Sequence, residues 1–151
     1  MIRAGSPADL RNAVGSSATG SWLKVTQERI DMFAQATGDR QWIHLDTERA
    51  ATGPYGTTIA HGLLTLSLVP EMLAEVLEVD GTAAVINYGV ESARFLTPVA
   101  TGSRVRAAAT LTDAKASPHG IRAVFHLEVS CEGSDRPALV SDLILLFIPA
   151  P

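Results

Sequence analysis

Hydrophobic and polar positions follow two different rhythms, and the change falls near residue 80. Ahead of it, apolar residues recur at helical spacing. In "SWLKVTQERIDMFAQATGD", residues 21–39, a short extended piece around Trp22 to Val25 leads into a helix. Thr26 is a natural N-cap, Glu28 is favourably placed in the first turn, and Ile30, Phe33, Ala34 and Thr37 keep the helical period until Gly38 stops it. "DTERAAT" (46–52) reads as a second, short helix capped by Asp46 or Thr47, and "GPYG" (53–56) as a turn.

The stretch from Gly62 to about Leu77 predicts the most informative helix. The charges that follow its start, Glu71, Glu75 and Glu78, share one stripe, while "GLLTLSLV" carries none. Such a helix shows one face to water in its second half and is enclosed in its first. Pro70 removes a backbone donor and predicts a kink.

Beyond residue 80, "TAAVINYGVE", "SRVRAAATLTDA", "IRAVFHLEVSCE" and "ALVSDLILLFI" are β-branched or alternating runs. "TPVATG" (97–102) and "KASPHG" (115–120) connect them. Helices followed by long strands predict an α+β fold, one antiparallel sheet packed on the enclosed helix. No linker or repeat divides the chain, so residues 1–151 read as a single domain.

Composition narrows the function classes. At 46% hydrophobic and 19% charged residues the chain has the makings of a core. A net charge of −4 with scattered basic residues argues against a nucleic-acid partner. The single Cys131 excludes an internal disulfide and a CxxC zinc site. The N-terminal stretch has no apolar run of signal-peptide type, and the most apolar segment, broken by His61, Pro70 and three glutamates, is too polar to span a bilayer. A cytoplasmic protein without a membrane partner is the expectation.

An enclosed helix beginning at "AHGLL" raises a question of hydrogen bonding. Its first N–H groups have no partners within the helix, and leaving one buried and unpaired costs about 1–3 kcal/mol. Ala60 cannot cap, His61 is not a favoured cap, and Gly62 leaves its backbone open to close approach. An internal carbonyl or a water would satisfy the helix start, as would a substrate oxygen that gains charge during reaction. Asp39, five positions before His44, bears on that choice, because a carboxylate and an imidazole that reach one water form a general acid/base pair. Aspartate is also a common turn residue, and His44 between Ile43 and Leu45 would equally serve inside a core. His44, Asp46 and His61 match no compact zinc motif, so no metal is expected.

At these residues the sequence resembles a known family. "ATGDRQWIHLDTERAA" followed by "GPYGTTIAHGLLTLSL" resembles the MaoC-like, (R)-specific enoyl-CoA hydratases of the hotdog fold, nearest the branch with NodN-like proteins and mycobacterial (3R)-hydroxyacyl-thioester dehydratases. "NYGVESARFLTPVATGSRVRAAATL" is similar to the family's strand, turn and strand, so the resemblance spans roughly residues 22–112. It implies a sheet wrapped around one long central helix, Asp39 and His44 as the catalytic pair, the Gly62 N–H as oxyanion donor, and His61 as a positioning residue near the substrate. Gln41 and Trp42 replace the Asn-Pro of many members. Where some carry a dyad-supporting serine this chain has Pro70, with Ser67 nearly a turn earlier.

The implied substrate is an acyl-CoA or other acyl thioester, with no cofactor beyond the coenzyme A it carries, and the implied assembly is a homodimer joined edge to edge. Arg94, Arg104, Arg106 and Lys115 are the candidate phosphate partners. Two other readings remain: a hotdog thioesterase, and a non-catalytic acyl-thioester-binding subunit.

Overall fold

The computed structural model describes residues 1–151. The chain opens with strand β1 (Ile2–Ala4), a 3-10 helix over Pro7–Ala13, and short strands β2 (Ser17–Thr19) and β3 (Leu23–Lys24). Helices α1 (Gln27–Thr37), α2 (Trp42–Leu45), α3 (Thr47–Ala51), α4 (Gly62–Ser67) and α5 (Val69–Ala74) follow. Strand β4 (Leu77–Val79) leads to four long strands, β5 (Thr82–Phe95), β6 (Arg104–Ser117), β7 (Gly120–Cys131) and β8 (Leu139–Pro149).

The principal sheet is antiparallel in the order β2-β6-β7-β8-β5, with β3 pairing a second stretch of β6. A small parallel pair, β1 with β4, stands apart. Alternation decides which face is buried: Val105, Ala107, Ala109 and Leu111 of β6, Phe125, Leu127 and Val129 of β7, and Leu139, Leu143, Leu145 and Phe147 of β8 all turn inward. Against them pack Leu64 and Leu68, then Val69, Met72 and Leu73, from the helical stretch after Gly62. The α+β reading holds, with an antiparallel sheet around a helical centre.

That centre is divided at Leu68 into two helical segments, with Pro70 in the first turn of the second. Leu68 keeps αR dihedrals and donates to the Leu64 carbonyl at 3.0 Å, so the two form one helical stretch. Proline has no N–H to continue the ladder, and its fixed φ suits a helix start better than a helix interior. The disturbance expected at Pro70 is thus local, and the helical stretch ends at Ala74 rather than near Leu77. Glu71, Glu75 and Glu78 are exposed as expected, but Glu78 lies on β4. Arg29 of α1 donates to both carboxylate oxygens of Glu71 at 2.8 and 3.2 Å, tying α1 to α5.

Local signals act where the sequence puts them. The Thr26 hydroxyl accepts from the Arg29 N–H, Asp46 caps α3 by accepting from the Arg49 N–H at 2.9 Å, and Gly38 takes φ 80° to end α1 with its N–H on the Ala34 carbonyl. The 115–120 connection is tighter than the sequence suggested, since Ser117 pairs with Gly120 across Pro118 and His119 alone. No helix is long and apolar enough to cross a membrane.

Candidate active site

Because Gly38 turns the chain at the end of α1, Asp39 emerges beside the one-turn helix α2 that carries His44. Two bonds fix that helix to the segment before α4: the Ile59 N–H donates to the Ile43 carbonyl at 3.0 Å, and His44 Nδ1 lies 2.7 Å from the Ile59 carbonyl. A carbonyl only accepts, so Nδ1 carries the proton, and a neutral His44 presents its lone pair at Nε2. Gln27 holds the same turn from the other side, donating to the His44 carbonyl at 2.8 Å and accepting from the Thr58 hydroxyl at 2.5 Å. His44 itself is 6% exposed.

His61, at the N-cap position of α4, does not cap it. Its Nε2 donates to the Asp39 carbonyl at 2.9 Å, and its ring stacks on His44 with centroids 3.8 Å apart and tilts against Phe33. Its Nδ1 is buried without a partner. A carboxylate oxygen of Asp39 and a ring nitrogen from each of His44 and His61 all lie within 4.8 Å of one another. A water making two hydrogen bonds of about 2.8 Å spans about 4.5 Å, so one water bridges groups at this separation. Imidazole lone pairs lie in the ring planes, and planes stacked 3.8 Å apart at only 24° do not converge on a point about 2.1 Å from both nitrogens. The stacked arrangement suits a proton-handling pair better than a metal.

A cavity of about 250 Å³ opens beside His44, lined also by Tyr55, Gly62, Thr65, Phe95 and Pro98. His44 and the helix start therefore share one space. Asp39 is exposed and does not line this cavity, so it meets His44 from the solvent side, and His61, 3% exposed, is likewise not among the lining residues. The structure thus gives His61 contacts to the Asp39 backbone and the His44 ring, outside the lining of this cavity. The Gly62 N–H has no backbone partner; the first paired N–H of α4 is that of Thr65, on the His61 carbonyl at 3.2 Å. A Cβ added at Gly62 would fall 2.8 Å from Cγ of Phe95, so only glycine lets that ring lie against the helix start.

Neither candidate for the serine role reaches His44. Pro70 lines a different, apolar groove of about 460 Å³ with Leu73, Leu77, Val85, Leu145 and Phe147, and the Ser67 hydroxyl turns back to the Leu63 carbonyl. Of the basic candidates, Arg104 is engaged by Glu132, Lys115 pairs with Asp113, and Arg106 lies over the Trp22 ring. Arg94 donates only to the neighbouring Ala93 carbonyl and has no acidic partner. The resolved pKa shifts lie away from the cavity: hydrogen bonds from Arg29 and Arg104 lower the carboxyls of Glu71 and Glu132, and both guanidinium values are raised in return.

Sequence reasoning missed Gln27, Thr58, Thr65, Tyr55 and Phe95. Gln27 at the first position of a helix carries no signal of a reach across to His44. Thr58 acquires meaning only through its bond to Gln27, and Tyr55, Thr65 and Phe95 only as parts of one cavity wall.

An antiparallel sheet around a helical centre, with a His-Gly helix start facing a buried imidazole, defines a hotdog fold of the hydratase kind. The model of the MaoC-like domain matches residues 9–129, and the chain belongs to that family. It is 46% identical over 145 residues to 3-hydroxyacyl-thioester dehydratase Z of Mycobacterium tuberculosis, covering 95% of this chain and 96% of the relative. It is 39% identical over 143 residues to Nodulation protein N of Rhizobium leguminosarum, covering 92% and 89%. Among solved structures, the unliganded R-hydratase PhaJ1 of Pseudomonas aeruginosa matches with a TM-score of 0.76 at 25% identity, over 97% of this chain and 87% of that one. The expectation of a dehydratase-type enzyme, rather than a binding subunit, stands on these relatives.

Proposed function

We propose that this protein hydrates the double bond of a trans-2-enoyl thioester to the (3R)-hydroxyacyl thioester, and catalyses the reverse dehydration. The observation that carries this reading is the approach of the Asp39 carboxylate to His44, whose Nδ1 is committed to the Ile59 carbonyl and whose ring shares a cavity with Gly62.

In the forward direction a water held between Asp39 and His44 Nε2 loses a proton to this pair as its oxygen bonds to the third carbon of the substrate. The π electrons move toward the thioester oxygen, where the Gly62 N–H meets the growing charge. Collapse of the enolate takes a proton from the pair at the second carbon, restoring both groups. General acid/base help of this kind contributes about 10²–10⁴ in rate, and a single oxyanion donor about 10²–10³.

The acyl thioester is the substrate class that the relatives' names favour. Arg94, the candidate with neither a carboxylate nor an aromatic partner, is the residue we assign to a coenzyme A phosphate. The unpaired outer edge of β5, with Val85, Ile86, Tyr88 and Val90 exposed, supports a homodimer in which a second copy extends the sheet. The apolar groove beside Pro70 and Val85 would then lie near the interface, available to an acyl chain.

Chiral analysis of the product made from a short trans-2-enoyl-CoA tests the reading. The 3R alcohol alone is expected; a 3S or racemic product, or none, overturns it.

A further inference from the structure

Thr65 lies three residues, close to one helical turn, beyond Gly62 and faces the same cavity as His44. It is only 3% exposed. Hydroxyls in helices commonly return to the carbonyl four residues earlier, as Thr37 does to Phe33 and Ser67 to Leu63, each at 2.7 Å. Thr65 does not: the His61 carbonyl receives its backbone N–H and nothing from its side chain. No other protein group engages this hydroxyl. The hydroxyl is not among the sealed, unpartnered polar atoms, so it keeps an opening onto the cavity, and valine would fill the same volume without a donor there.

The direction of the side chain adds to this. In a helix the Cα–Cβ bond tilts toward the N-terminus, so the Thr65 side chain overlies the turn that begins at Gly62. Two other hydroxyl-bearing side chains that line the cavity, Tyr55 and Thr97, are each more exposed to water.

We propose that the Thr65 hydroxyl is a second donor to the thioester oxygen of the substrate, beside the Gly62 N–H; this rests on the hydratase reading above. Charge grows on that oxygen as the bond from water to the third carbon forms, and falls again when the second carbon is protonated. Thr65 keeps its proton throughout and contributes one hydrogen bond that strengthens as the enolate develops. No protein hydrogen bond holds this hydroxyl in the fold, and its place in the cavity wall offers it to a ligand.

The experiment compares wild type, Thr65→Val and Thr65→Ser in enoyl-CoA hydration and in thermal melting. Loss of one such donor predicts kcat/KM at least about tenfold lower in Thr65→Val, with Thr65→Ser within about threefold of wild type. The Thr65→Val midpoint should be no lower than that of wild type. Unchanged turnover in Thr65→Val overturns the proposal, as do equal losses in Val and Ser variants, or activity and melting point falling together. Should Thr65→Val not fold, Thr65→Ser against Thr65→Ala carries the same comparison. A wild type without any hydration overturns instead the reading on which the proposal rests.

Discussion

The rings of His44 and His61 stack with their centroids 3.8 Å apart, and the same His61 donates to the carbonyl of Asp39. One side chain at the start of α4 thereby sets the ring of one acid/base candidate and the backbone of the other. His61→Phe keeps an aromatic surface for the stack but loses the bond to Asp39, so kcat is expected to fall about tenfold with little change in melting point. His61→Ala removes both and leaves a cavity, at a cost on the order of 2 kcal/mol. Kinetics and thermal melts of the two variants check this; equal kcat in wild type and His61→Phe would remove the positioning role.

Asp39→Asn and His44→Gln each delete a proton carrier while keeping size and polarity. Turnover should fall by about 10²–10⁴ in both, with the fold retained by circular dichroism. The double variant should lose little more than the worse single one, because in the proposed reaction the two groups act as a unit on one water.

Gly62→Ala keeps the proposed oxyanion N–H but drives a methyl into Phe95, 2.8 Å from its Cγ. Activity and stability should both drop, and a second change, Phe95→Leu, should recover part of each. A double-mutant cycle measures this recovery. Strictly additive losses would mean that the ring is not what requires glycine at this position.

The Arg29–Glu71 pair gives a pH prediction with a definite sign. The hydrogen bond from Arg29 holds the Glu71 carboxyl below its ordinary value of 4.5. A depressed folded-state pKa means that the pair's stabilisation is complete above the unfolded value and is lost as pH falls through the folded one. Both side chains are partly exposed, so the contribution is at most about 1 kcal/mol. Glu71→Gln should therefore lower the melting point slightly at pH 7 and leave it unchanged near pH 2, which parallel melts would read directly.

The exposed edge of β5 predicts association. Sedimentation should report a dimer, and Ile86→Lys together with Tyr88→Lys should shift it toward monomer. A wild type that sediments as a monomer at all concentrations would remove the edge-to-edge assembly.

Much of this architecture was legible because its signals are local. Thr26, Gly38 and Asp46 act through their own neighbours in the chain, and the alternation of β6 to β8 carries its burial pattern openly. The irregularity at Leu68 was half-legible: Pro70 announced a disturbance, but how far a proline disturbs a helix depends on packing around Val69 and Met72. The site divided the same way. Asp39, His44, His61 and Gly62 form a recognisable spacing, whereas Gln27 reaches His44 across 17 positions and Phe95 reaches Gly62 across 33, distances that no local pattern encodes. His61 was read as a positioning residue; the groups it touches, the His44 ring and the Asp39 carbonyl, are revealed only by the folded chain.

Hydration by an Asp39–His44 pair is the proposed activity on which the other roles depend. The most direct measurement follows the ultraviolet absorbance of the conjugated enoyl thioester in a short trans-2-enoyl-CoA while free thiol is recorded in parallel. Loss of the chromophore without thiol, abolished by Asp39→Asn, is the expected result. Thiol release in step with the absorbance change, or full activity in Asp39→Asn, would contradict it.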